Sequence, residues 1–204
     1  GWCDQLQRPD AGEGDLTMAA LSTQIPVNRF SDASLALARG VEVFFFDVDG
    51  ILTDGSLWFS ESGETLKRFN TLDGHGLKLL QRVGVTPVVI SGRDSAALRN
   101  RLAALGIVHA VLGTEDKRPA ADQWLNQRGL TWSDAAAMGD DWPDLPLLRR
   151  ARLACVPLTG HPDVRAIANY VPVAEAGAGA VRECCDLVLT ARGDYAGLLA
   201  EAGQ

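Results

Sequence analysis

Short, wholly apolar runs alternate along the chain with longer stretches in which apolar residues recur at three- and four-residue spacing. Val43-Phe44-Phe45-Phe46 has no polar alternation, and it predicts a strand covered on both faces, as in a parallel sheet. It ends abruptly in Asp47-Val48-Asp49-Gly50. Val85 to Ser91 predicts the next buried strand, Ile107 to Leu112 a third and Ala135 to Met138 a fourth, with weaker candidates at Leu153 to Val156 and Tyr170 to Val173.

Between these runs lie the helical patterns. Asp73 is expected to cap a helix carrying Leu77, Leu80 and Val83 that stops at Gly84. Leu98, Leu102 and Leu105 mark a second helix closed by Gly106, Lys117 to Gln127 a third, and Val181, Cys184, Cys185 and Val188 a last one. Ser56 to Phe59 and Thr65 to Phe69 flank the turn-like Ser60 to Gly63 and predict a β-hairpin beside the Asp47 edge.

Strands alternating with helices imply right-handed crossovers: an α/β fold, with a Rossmann-like parallel sheet and helices on both faces. Every strand's carboxyl end then lies along one edge, where open α/β sheets bind ligands. Asp47, Ser91 and Asp140 all fall at such ends, and Lys117 opens a helix after another strand.

Length and charge narrow the field. The 204 residues, 47% hydrophobic, suit one domain, expected over residues 21–204 behind a mobile leader at residues 1–20; Met18 is a candidate natural start. A net charge of -7 disfavours a nucleic-acid surface. No apolar run reaches the roughly 20 residues of a membrane span and no secretory pattern opens the chain, so a cytoplasmic protein is expected. Cys3, Cys155, Cys184 and Cys185 have neither metal-ligand nor disulfide spacing and read as reduced thiols.

Asp47, Asp49, Asp140, Asp141 and Asp144 would gather negative charge that a cation must offset. Oxygen donors without nearby His or Cys favour Mg²⁺ over zinc. Asp47 is the candidate nucleophile toward phosphorus, and Asp49 the candidate acid and base. Ser91 and Lys117 suit the phosphoryl oxygens. Asp140 ranks above Asp141 and Asp144 as a direct ligand, since either of the latter can cap the helix bearing Leu147. His75, His109 and His161 read as structural, Trp124, Trp132 and Trp142 as packing or loop anchors, and Gly177 to Gly179 as a hinge.

Asp47 to Gly55, Ser91-Gly92-Arg93, Lys117 and Gly139-Asp140-Asp141 resemble, in order, the four motifs of the haloacid dehalogenase superfamily of phosphatases. Within it, Gly63-Glu64 with Lys67 and Phe69, Asp73 to Lys78, His161-Pro162 and Gly179 to Leu187 are similar to the 3-deoxy-D-manno-octulosonate 8-phosphate phosphatases. The resemblance implies Mg²⁺ held by Asp47, the Asp49 carbonyl and Asp140, with Asp47 as nucleophile and Asp49 as acid and base. It implies that Asn70, Thr71, Leu72, Asp73 and Gly74, with Lys78, Arg93, Arg101 and Lys117, surround a small sugar phosphate. It also implies a homotetramer whose neighbours complete the sites, with Trp58 and Phe59 at the interface. The interval from Gly50 to Ile90 has no room for a large cap domain, so a capless fold with a hairpin flap is expected. The alternatives are a phosphatase for a nine-carbon keto acid phosphate of the sialic acid type, and a noncatalytic oligomeric relative that only binds the ligand.

Overall fold

The computed structural model describes residues 29–203; the expected leader, Met18 and Cys3 lie outside the described residues. Five parallel strands form the central sheet: β1 (Val43–Phe46), β4 (Thr86–Ser91), β5 (Ala110–Leu112), β6 (Ala135–Met138) and β7 (Leu153–Cys155). Their order is β5-β4-β1-β6-β7, so the strand ending at Asp47 lies at the centre. Val43 pairs with Thr86 on one side and Ala135 on the other, and Phe46 with Val89 and Met138.

Alternate side chains of β1 go to opposite layers, which is why the run is apolar throughout. Phe44 and Phe46 pack with Leu77, Leu80, Leu98 and Leu187. Val43 and Phe45 pack with Ala121, Leu125, Leu147 and Val164. Each fully buried Phe contributes about 2–3 kcal/mol of transfer free energy. The first layer holds α1 (Asp32–Ala38), α2 (Thr71–Arg82), α3 (Ala96–Leu105) and α7 (Ala180–Arg192). The second holds α4 (Lys117–Asn126), α5 (Leu145–Leu148) and α6 (Pro162–Arg165). No described helix is long and apolar enough to cross a membrane.

The hairpin forms as its pattern predicts, from β2 (Trp58–Ser60) and β3 (Gly63–Leu66), antiparallel and apart from the main sheet. Several elements differ from expectation. The helix α1 carries no long apolar stripe to announce it; Ser31 caps it by accepting from the Ser34 amide. The stripe at Val181 to Val188 lies on α7 but not on a last helix, because α8 (Tyr195–Ala202) follows.

Tyr170 to Val173 is no strand, beyond one bridge between Tyr170 and Cys155. Its partner is a side chain: the buried Glu183 carboxylate accepts from the Tyr170 hydroxyl at 2.6 Å and from the Val173 and Ala174 amides at 3.0 Å. Asp73 does not cap its own helix either. Asn70 does so, accepting from the Leu72 amide at 2.7 Å. Asp73 instead caps α7, accepting from the Gly179 and Arg182 amides at 3.3 and 2.9 Å.

Gly177, expected in a hinge, is a close contact. Its amide donates to the Ile51 carbonyl, and a Cβ there would lie 2.5 Å from the backbone of Thr53 and Asp54. With φ at +61° as well, the position admits glycine and little else.

Candidate active site

Asp47 follows β1 directly, Asp140 follows β6 by two residues, Ser91 ends β4, and Lys117 is the first residue of α4. Parallel strand direction therefore delivers these groups to one edge. A cavity of about 540 Å³ opens there, with Asp47, Asp49, Lys117, Asp140 and Asp144 at its base and Arg93 at its side.

Lys117 organises the base. Its side chain is 4% exposed, and its ammonium donates to Asp47 Oδ1 at 2.6 Å and to Asp144 Oδ1 at 2.7 Å. Burial alone would push the ammonium down, but Asp144 and Asp47 outweigh it and the group is held above its ordinary value. Asp144 Oδ2 accepts from the Asp140 and Asp141 amides at 3.0 and 3.3 Å, so both its oxygens are occupied in shaping the loop.

One cation does not offset this much charge. Burial, then repulsion from Asp144, raises the Asp47 carboxyl to about 6 against the pull of Lys117. Burial, then repulsion from Asp47, Asp144 and Asp141, raises Asp140 to about 7. Oxygens of Asp47, Asp140 and Asp144 lie within 4.8 Å of one another, an all-oxygen set that fits a hard divalent cation. Of the three, Asp47 and Asp140 have oxygens to spare. Gly50 makes the approach possible: with φ at +83°, its missing Cβ would fall 2.1 Å from Asp140 Oδ2.

Asp49 sits beneath the hairpin. Lys67 bonds its Oδ1, and also lies 2.8 Å from Glu64, while Arg93 approaches Oδ2 at 3.7 Å. The Lys67 side chain is only 1% exposed. Its burial favours the neutral amine, yet hydrogen bonds and charge from Asp49 and Glu64 win and raise it. Neither Lys67 nor Glu64 stands out by spacing. What brings them in is the hairpin folding back, and its Gly63-Glu64 and Lys67 positions were the available signal.

Other expected residues lie elsewhere. Ser91 is buried beside the cavity, and its Oγ accepts from the Arg93 amide at 3.1 Å, fixing the turn that carries Arg93. Arg101 donates to the Asn70 carbonyl at 3.0 Å and lies over the Phe69 ring, facing a narrow separate cleft with Asn70, Asp73 and Gly74. The Asp73 carboxylate is enclosed by its capping bonds. Thr71, Leu72 and Lys78 are exposed on α2 and do not line the cavity. Trp124 and Trp132 pack on Phe45, while Trp142 is exposed and donates to His161 Nδ1 at 3.3 Å.

No family model matches the chain. Similar proteins nonetheless cover most of it. The 3-deoxy-D-manno-octulosonate 8-phosphate phosphatase KdsC of Salmonella typhi is 35% identical over 156 residues, 76% of this chain and 83% of the relative. The Moraxella catarrhalis 3-deoxy-D-manno-octulosonate 8-phosphate phosphatase, solved with magnesium, phosphate and KDO, superposes with a TM-score of 0.82 at 34% identity, covering 85% of this chain and 99% of that one. The cobalt-bound Haemophilus influenzae deoxy-D-mannose-octulosonate 8-phosphate phosphatase has a TM-score of 0.75 at 35% identity, covering 78% and 93%.

Proposed function

The chain belongs to the haloacid dehalogenase superfamily as a phosphoric monoester hydrolase of the KdsC family, and from that premise we propose that it hydrolyses 3-deoxy-D-manno-octulosonate 8-phosphate. The observation that carries this reading is the base of the cavity, where Lys117 joins Asp47 and Asp144 beside Asp140. Asp47, Asp140 and the Asp49 carbonyl would hold Mg²⁺. Bound there, the cation supplies the positive charge that keeps the carboxylates ionised beside a phosphate dianion.

Asp47 is the nucleophile. Its carboxylate oxygen bonds to phosphorus as the bond from phosphorus to the sugar oxygen breaks, and the Asp49 carboxyl gives its proton to that leaving oxygen. Asp49, now ionised, takes a proton from water as the water oxygen attacks the aspartyl-phosphate. This releases inorganic phosphate and restores Asp47. Lys117 offsets charge on the phosphoryl oxygens, and the Ser91 turn sets Arg93 over the cavity. Lys67, between Asp49 and Glu64, keeps the acid and base group in place when it loses its proton.

Two further features enter the proposal. Trp58, Phe59 and Leu66 are 56%, 63% and 65% exposed on the hairpin, an apolar surface suited to a second copy of the chain. We assign a homotetramer in which Asn70 to Leu72, Lys78 and Arg101 serve a neighbour's cavity. We place the reaction in the cytoplasm, in the synthesis of lipopolysaccharide precursors.

Phosphate release measured across eight- and nine-carbon keto acid phosphates, with and without Mg²⁺, tests the reading. Mg²⁺-dependent turnover with preference for the eight-carbon substrate is expected. Preference for the nine-carbon substrate replaces the proposed substrate, and no turnover of any of them overturns the proposal.

A further inference from the structure

Glu115 lines the same cavity, yet phosphoryl transfer gives it no task. It is exposed, two residues before Lys117, and its stem rests on the turn after β4: a Cβ on Gly92 would lie 3.4 Å from Glu115 Cγ. No ion pair or hydrogen bond engages its carboxylate among the described residues. The cations nearby are committed, Arg93 toward Asp49 and Glu64, and Lys117 to Asp47 and Asp144.

A free carboxylate is an unexpected neighbour for a phosphate dianion, which it repels. What it offers is acceptor capacity: two oxygens and no donor. The cavity runs from a buried base, where Asp47 and Lys117 lie, to an exposed rim formed by Leu57, Gly92, Arg93 and Glu115. A phosphate at the base puts the esterified carbon chain at that rim. A chain rich in hydroxyl donors can satisfy Glu115, and a chain without them leaves only the repulsion.

We propose that Glu115 is a specificity-determining residue, accepting hydrogen bonds from the hydroxyls of the substrate chain and so selecting polyhydroxylated phosphate esters over plain ones. The assignment rests on reading the cavity as a sugar phosphate site.

The test compares wild type, Glu115→Gln and Glu115→Ala on a panel of sugar phosphates and on p-nitrophenyl phosphate, which has no hydroxyl. For Glu115→Ala, kcat/KM on the preferred sugar phosphate should fall about tenfold or more, the loss of a hydrogen bond to a charged group, and the fall should come through KM. Activity on p-nitrophenyl phosphate should hold or rise. Glu115→Gln keeps one acceptor oxygen and should lose less. An unchanged ratio between the two substrate types in both variants overturns the assignment, whatever the absolute rates. So does a wild type with no preference for hydroxylated esters. A wild type that prefers a sugar phosphate other than the eight-carbon one sinks the substrate proposed above, and Glu115 is then judged on the preferred substrate.

Discussion

With its ammonium between Asp47 and Asp144, Lys117 offsets two carboxylates that are otherwise left facing each other and Asp140. Lys117→Met should abolish turnover and destabilise the metal-free fold by about 3–5 kcal/mol, the usual cost of stripping one partner from a buried ion pair. Denaturant unfolding in chelator reads this directly, and an unchanged midpoint would refute it. Asp47, Lys117 and Asp140 were legible because each follows, or opens an element after, a recognisable run. The tasks of Asp144, Lys67 and Glu64 were not. Asp144 is defined by which amides fold onto it, and the other two by a hairpin closing over Asp49, and neither leaves a period in the sequence. The direction of Arg101 was equally hidden, since a long side chain reaches several neighbours from one backbone position.

At the level of elements, the loop that follows the nucleophile is held from behind by the approach to α7. Asp73 fixes the start of α7, and Gly177 fits against Thr53 and Asp54. Burial raises the Asp73 carboxyl above its ordinary value against the amides of Arg182 and Gly179 that lower it. Asp73→Ala should cost about 1–2 kcal/mol, the range for a lost helix cap, visible as a lower melting temperature. Gly177→Ala should cost more than the usual glycine replacement, and it should lower kcat as well because the displaced backbone is that of the nucleophile loop. Full activity in Gly177→Ala would show that the contact does not position the loop. Strands buried on both faces announced the sheet. The tie between α2 and α7 did not show, because a buried aspartate capping a distant helix reads in sequence like one capping its own.

For the whole molecule, two consequences of charge and surface can be measured. Asp47 and Asp140 titrate at about 6 and about 7 in the folded chain, above the ordinary carboxylate. A raised acid binds its proton more tightly folded than unfolded, so these groups make the metal-free protein lose stability as pH rises from about 4 to about 7. Mg²⁺ at neutral pH should recover the loss; melting curves at pH 5 and 7.5, with chelator or Mg²⁺, check the sign. The exposed hairpin gives the second consequence. If the chain forms the proposed homotetramer, Trp58→Asp with Phe59→Asp should convert it to smaller species by light scattering after size exclusion, while secondary structure persists. A wild type that runs as a monomer would remove the proposed role of the neighbour.

In the proposed reaction Asp47 carries the phosphoryl group. Acid quenching of the enzyme during turnover of 3-deoxy-D-manno-octulosonate 8-phosphate, followed by mass spectrometry of its peptides, tests this most directly. A phosphoryl group on the peptide containing Asp47, absent from an inactive Asp47→Asn, is the predicted result. Steady turnover with no phosphoryl group on that peptide, or Asp47→Asn working at the wild-type rate, would contradict it.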